Sequence, residues 1–167
     1  MLAFLRYNTK NQLKKNKTLR SNTTFKKSAS VGILFSVEDR TKHDAVKEFI
    51  KKLETEGKTV QVLAFLPEKK ENFEFLFNYF TAKDISFWGN LTSQDALTFS
   101  TTPFDFLYCL DEVPNPFILN VLARSKAKCR VGKHKEENEP FFELMLENKN
   151  GFKGLTENVL RYTRELR

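Results

Sequence analysis

From Ser30 onward, apolar runs of strand length alternate with segments whose apolar residues recur at helical spacing, and that alternation is the pattern of a βαβ sheet. Val31-Gly32-Ile33-Leu34-Phe35-Ser36 is a continuous apolar run. Residues 44–56 follow it with Ala45, Val46, Phe49, Ile50 and Leu53 on one helical stripe, and Gly57 stops that helix as a C-terminal cap would. A second strand over 59–66 closes at Pro67, so the three segments form one βαβ unit, expected to be right-handed. The spacing then predicts a short aromatic-rich helix over 71–78, a short strand over 85–89 and a short helix over 92–100. Residues 104–110 are a buried strand, ended by Asp111-Glu112-Val113-Pro114-Asn115-Pro116, where two prolines enforce a turn and a helix start. A helix over 117–125 and a last central strand over 129–132 come next. Residues 141–147 read as an edge strand or a helical turn, and 155–166 as a terminal helix. The expected architecture is a Rossmann-like α/β domain over residues 31–167, with a mostly parallel sheet of about five strands and flanking helices.

A chain of 167 residues has room for one such domain and an appendage. Hydrophobic residues make up 40%, with 17 Phe among them, which is enough to build a core and argues against global disorder. The longest apolar stretches fall far short of the ~20 residues that a membrane-spanning helix needs. Met1-Leu2-Ala3-Phe4-Leu5-Arg6 meets charge too early for a signal peptide, so a cytoplasmic protein is expected. Cys109 and Cys129 each sit in an apolar, strand-like run and are expected to be buried, reduced thiols.

Charge is segregated along the chain. Residues 1–30 hold Arg6, Lys10, Lys14, Lys15, Lys17, Arg20, Lys26 and Lys27 and no Asp or Glu, so they carry +8. The other 137 residues hold 20 Lys/Arg against 21 Asp/Glu, which leaves them close to neutral. Uniform basicity would need only a solubility explanation, whereas basicity confined to one segment points to a polyanionic partner. Residues 8–30 are rich in Asn, Thr, Ser and Lys, with Leu13, Leu19 and Phe25 as isolated apolar positions. They read as an extended arm, disordered or partly helical when free, and residues 30–167 are expected to fold without it. Such an arm can track a phosphate backbone through its cations, while its polar side chains add neutral hydrogen bonds to phosphate and sugar.

Catalytic chemistry leaves few traces. The loops at strand ends where ligands bind in open parallel sheets are residues 36–43, 67–70, 111–116 and 132–134, and none carries a dinucleotide or phosphate-loop glycine pattern. Gly57-Lys58-Thr59 follows a helix and precedes a strand, the reverse of the order that phosphate binding needs. His43 and His134 lie at such loops, but two histidines without clustered cysteines make no zinc site. Asp111 with Glu112, and Glu38 with Asp39, are acidic pairs that could hold a metal or a ribose, or serve only as solvated caps. Lys126, Lys128, Arg130 and Lys133 form a possible second basic patch, partly cancelled by Glu136, Glu137 and Glu139. Phe73, Phe75, Phe77, Tyr79 and Phe80 read as core rather than as base-stacking platforms. No metal, cofactor or catalytic residue is expected.

Two resemblances add to this reading. Pro103-Phe104-Asp105-Phe106-Leu107-Tyr108-Cys109-Leu110-Asp111, with residues 118–132 after it, resembles a strand–helix–strand piece of the first domain of heptosyltransferase-like glycosyltransferases. Those enzymes close a sugar-nucleotide site between two such domains, so the resemblance implies a fold element and no catalytic residue. The chain as a whole is similar to a family of small, uncharacterised Bacteroidota proteins, in which a lysine-rich segment precedes a strand like Val31-Gly32-Ile33-Leu34-Phe35. Ser125-Lys126-Ala127-Lys128-Cys129-Arg130-Val131-Gly132 recurs in that family as a pattern. This resemblance implies a fold and a lineage.

The expected function is non-enzymatic RNA binding through the arm, on ribosomal RNA and with ribosomal proteins as neighbours. The alternatives are a peripheral protein on an anionic membrane, with Leu2, Phe4, Leu5 and Tyr7 dipping into the leaflet, and a nucleotide- or sugar-nucleotide-binding domain using the 36–43 and 111–116 loops.

Overall fold

The computed structural model describes residues 1–17 and 20–166. In chain order the elements are α1 (Leu2–Asn16), β1 (Ser30–Ser36), α2 (Arg40–Thr55), β2 (Thr59–Phe65), β3 (Asn78–Phe80), α3 (Gln94–Thr101), β4 (Phe106–Cys109), α4 (Pro116–Arg124), β5 (Cys129–Lys133), β6 (Leu144–Leu146) and α5 (Gly151–Arg164). The strands form one sheet in the order β3-β2-β1-β4-β5-β6, and every neighbouring pair is parallel. This is a Rossmann-like order: it reverses direction between β1 and β4, and the crevice at that reversal is where ligands bind in folds of this kind.

Helices cover both faces, which is why the central strands read as unbroken apolar runs. On one face Leu34, Leu63 and Leu107 meet Ala96 and Phe99 of α3 and Ile118, Val121 and Leu122 of α4. On the other, Ile33, Phe35, Tyr108 and Val131 meet Val46, Phe49 and Leu53 of α2 and Leu155, Val159 and Leu160 of α5. Local signals agree with these boundaries. Asp39 caps α2 by accepting from the Lys42 amide, Asn115 accepts from the amides of Phe117 and Ile118 ahead of Pro116, and Gly57 takes the left-handed conformation after α2.

Three stretches differ from the sequence reading. Residues 71–78 form a single 3-10 turn at Phe73–Phe75 and then enter β3, because their aromatic residues at every second position suit an edge strand better than a helix. Residues 85–89 form a turn instead of a strand, closed by Ser86 N–H to the Asn90 carbonyl at 2.8 Å and flanked by an isolated antiparallel bridge between Ile85 and Leu91. Residues 144–146 supply the edge strand β6, the first of the two readings for that stretch, which makes the sheet six-stranded.

The N-terminal segment also departs from an extended arm. Residues 2–16 are helical and α1 lies against α4, with Leu5 fully buried and Leu13 half-buried on the same core as α3 and α4. Side chains fix the contact: Asn120 donates to Thr9 Oγ1 at 2.9 Å, Arg124 to Asn8 Oδ1 at 2.7 Å, and Asn16 to the Ala123 carbonyl at 3.0 Å. Residues 20–29 then run under the sheet, where Phe25 is buried in the opposite core. Lys58 Nζ donates to the carbonyls of Phe25 and Ser28 and sits 4.3 Å from the Phe25 ring centre. Leu19, the middle one of the spaced apolar positions, lies outside the described residues.

Candidate nucleic-acid interface

α1 has no side-chain cap at its N-terminus and no acidic residue in its first turn, so tertiary packing and not intrinsic propensity holds it helical. Leu5, Thr9 and Asn16 recur at positions that bring them to one side, and they are buried. At about 100° per residue, Arg6, Lys10, Lys14 and Lys17 fall within a sector roughly 80° wide that faces solvent. All four are exposed, as is Lys15 on the flank. None of the five forms an ion pair among the described residues; the carboxylates of the domain are paired with other cations or lie elsewhere.

Next to the N-terminal end of this stripe stands an aromatic ledge. Tyr7 is 68% exposed, Trp88 64%, Phe87 61% and Phe4 39%. The Phe4 ring centre lies 5.0 Å from that of Trp88 and 5.4 Å from that of Phe87, and Phe87 and Trp88 meet edge-on at 5.4 Å. Gly89 makes the approach possible. Its φ is +79°, and a Cβ there would lie 2.7 Å from both Leu5 Cα and the Phe4 carbonyl oxygen. Asn8 ties the two segments by donating to Asn90 Oδ1 at 3.0 Å. A hollow of about 550 Å³, lined by Ala3, Phe4, Tyr7, Asn8, Asn11 and Trp88, opens between helix and turn. Sequence reasoning missed this ledge, because Phe4 and Trp88 are 84 positions apart and only the docking of α1 joins them.

The remaining cations expected at an RNA surface occupy other places. Arg20 is half-buried 3.4 Å from Glu143 and donates to the Ala127 carbonyl; burial, and then the nearby Arg130, bring its pKa down to about 10. It therefore braces the segment before β1. Lys26 and Lys27 are exposed in the turn after Phe25, away from the α1 stripe. The second basic patch is largely consumed by ion pairs. Lys128 meets Asp105 at 2.7 Å, buried Arg130 meets Glu143 at 2.7 Å, and Lys133 meets Glu112 at 3.6 Å, which leaves Lys126 exposed.

The crevice between β1 and β4 is filled by the chain itself. Asp111, 2% exposed, accepts from the Ser36 amide at 2.8 Å, the Ser36 hydroxyl at 2.7 Å and Lys42 Nζ at 2.8 Å. Asn115 donates to the same hydroxyl at 2.8 Å, and Lys42 also reaches Glu38 at 3.0 Å. The lysine thus stands where an open fold of this type would admit a ligand. His43 is buried against Glu74, Nε2 to Oε2 at 3.0 Å, and His134 meets Glu147 at 3.0 Å. Among the described residues no three His, Cys, Asp or Glu side chains are grouped to hold a metal ion. Cys109 and Cys129 are free and buried, and burial pushes the Cys129 thiol up to about 12, which leaves it a poor nucleophile. A further hollow, about 540 Å³ beside β2 where β3 does not reach, is lined by Ile50, Val60, Val62, Leu76 and Phe99 among others. No helix among the described residues is long and apolar enough to cross a membrane.

Compared with known proteins, residues 2–166 match the model of a family described as a family of unknown function (DUF6913), so α1 is part of the family's common unit as much as the sheet is. No curated protein and no solved structure matches the chain.

Proposed function

Since the chain belongs to the DUF6913 family of unknown function, we propose from its surface that it is a non-enzymatic RNA-binding protein. Its partner is structured RNA of a ribonucleoprotein such as the ribosome, with ribosomal RNA as the ligand and ribosomal proteins as neighbours, in the cytoplasm. The observation that carries the reading is the outer face of α1, where Arg6, Lys10, Lys14, Lys15 and Lys17 are exposed with no carboxylate partner among the described residues. From Arg6 to Lys17 the stripe spans about 16 Å, long enough to meet several successive phosphates. The self-occupied crevice around Asp111 speaks for binding rather than turnover, because the groups that could act there already satisfy one another.

We also keep as proposals a Bacteroidota lineage and a shared build between the β4–α4–β5 unit and the first domain of heptosyltransferase-like enzymes. The support for the second is the parallel strand–helix–strand geometry alone. Co-sedimentation tests the function: the full chain should travel with ribosomes at moderate salt, and a variant with Lys10, Lys14 and Lys17 all replaced by Ala should stay in the supernatant. A variant that pellets like the parent removes the RNA reading.

A further inference from the structure

We propose, resting on the RNA reading above, that the ledge of Phe4, Tyr7, Phe87 and Trp88 stacks unpaired bases of a single-stranded RNA segment whose phosphates run along the Arg6–Lys17 stripe. Four large aromatic side chains share one small area of surface and remain open to solvent, three of them by more than 60%. A duplex hides its base faces inside its own stack, so exposed rings beside a cation track fit a strand whose bases are free to splay.

The ledge is held in shape before any ligand arrives. The turn that carries Phe87 and Trp88 is closed by Ser86 N–H to the Asn90 carbonyl at 2.8 Å, Gly89 N–H to the Ser86 carbonyl at 2.9 Å and Asn90 N–H to Ser86 Oγ at 3.1 Å. Gly89 in turn lies against the backbone of Leu5. Little side-chain or loop ordering is left for binding to impose. The hollow of about 550 Å³ beside Trp88 lies within the range of small-molecule sites, and Asn11 on its rim is exposed, with an amide able to meet a base edge.

Charge and polarity favour a strand over a lipid leaflet as the occupant. α1 turns Leu5 and Leu13 inward onto α4 and leaves only Leu2 of its leucines exposed, while its cations and Asn11 occupy the outer face, whereas a helix lying in a membrane interface presents a continuous apolar face to the acyl chains. The rings sit at one end of the cation stripe, where a strand following the phosphate track would deliver its next bases.

Trp88 is the protein's one tryptophan, so its fluorescence reports on the ledge directly. With the full chain, an unstructured twelve-nucleotide RNA should quench that emission saturably, while a duplex RNA of equal length and an abasic oligomer with the same phosphates should leave it nearly unchanged. Trp88→Ala and Tyr7→Ala, both at exposed positions, should each weaken the single-stranded oligomer roughly 5- to 150-fold, with duplex affinity and salt dependence unaltered. Trp88→Phe should restore most of the loss. Equal affinity of the Ala variants for the single strand overturns the base-stacking proposal while leaving the lysine stripe its role. If the parent binds neither RNA at low salt, the RNA reading falls, and the stacking proposal with it. Binding to vesicles of phosphatidylserine and phosphatidylcholine that is lost in Trp88→Ala, with single-strand affinity intact, would assign the ledge to a membrane and also overturns it.

Discussion

Lys42 and Asp111 are 2.8 Å apart and almost wholly removed from water, so each depends on the other to make its charge tolerable. Removing Asp111 leaves the buried lysine only the exposed carboxylate of Glu38 and takes the acceptor from the Ser36 amide and hydroxyl, and breaking a buried pair in this way costs about 3–5 kcal/mol. That is a large part of the ~5–15 kcal/mol by which a domain exceeds its unfolded chain. Asp111→Ala is therefore expected to lower the urea midpoint sharply while RNA affinity, measured where the variant is still folded, stays at the parent's value. A variant of parental stability would show that the carboxylate is not the anchor of the crevice. Glu74 illustrates a different use of charge. Its backbone is left-handed at φ 58°, and its carboxylate meets His43 Nε2 at 3.0 Å, Lys47 Nζ at 3.0 Å and Arg40 Nη2 at 3.2 Å. Hydrogen bonds from His43 and then Lys47 hold its pKa down to about 2. A carboxyl depressed on folding stabilises the native state above the ordinary carboxylate pKa of about 4.3, and that contribution is lost as pH falls through the folded value. Glu74→Gln should thus flatten the fall in stability between about pH 5 and pH 2, read from urea midpoints across that window. An acid limb identical to the parent's would mean that the cluster is too well hydrated to matter.

α1 is the element whose role changes most once it is seen in place. Leu5 is fully buried, and its truncation to Ala should cost about 2–5 kcal/mol, as for other core leucines. Gly89→Ala acts on the same contact from the other side, since its Cβ would collide with helix backbone and its φ of +79° would be strained. Removing residues 1–29 takes away Leu5 and Phe25 together and bares the outer face of α4, so the shortened chain is expected to lose its cooperative melt or aggregate. A truncated chain that melts as sharply and as high as the parent would return α1 to the status of a detachable arm. The sheet and its main helices were legible because strands buried on both faces give unbroken apolar runs, and because Asp39, Gly57, Asn115 and Pro116 mark helix ends by local chemistry. α1 was not, because its buried side is built from Leu5, Thr9 and Asn16, two of them polar, and its partners sit more than a hundred positions away on α4. β3 was missed for a related reason: three residues at the sheet edge carry too little pattern to separate them from the aromatic turn before them.

At the level of the whole molecule, folding sorts the eight N-terminal cations into three groups, and the sorting predicts how RNA affinity must respond to salt. Arg20 is withdrawn into the contact with Glu143 and the Ala127 carbonyl; Lys26 and Lys27 follow Phe25 at the other half of the core; Arg6, Lys10, Lys14 and Lys17 share one exposed stripe, with Lys15 on its flank. A phosphate track along α1 therefore engages about four cations, and each neutralised phosphate adds about −0.7 to −0.9 to the slope of log K against log salt. The expected slope is roughly −3 to −4, which corresponds to a loss of about two orders of magnitude in affinity between 50 and 200 mM salt. Replacing Lys10, Lys14 and Lys17 by Ala should make the slope shallower by about two to three units, whereas the same change at Lys26 and Lys27 should leave it within about half a unit of the parent. Arg20→Ala separates architecture from binding: it should lower the melting temperature and leave the slope alone, since its guanidinium is already committed within the protein. A slope near −5 to −6, diminished equally by the Lys26 and Lys27 changes, would mean that all the exposed N-terminal cations act together. The RNA would then have to wrap from α1 around to the far half of the core, and the stripe on α1 would lose its claim to be the binding face.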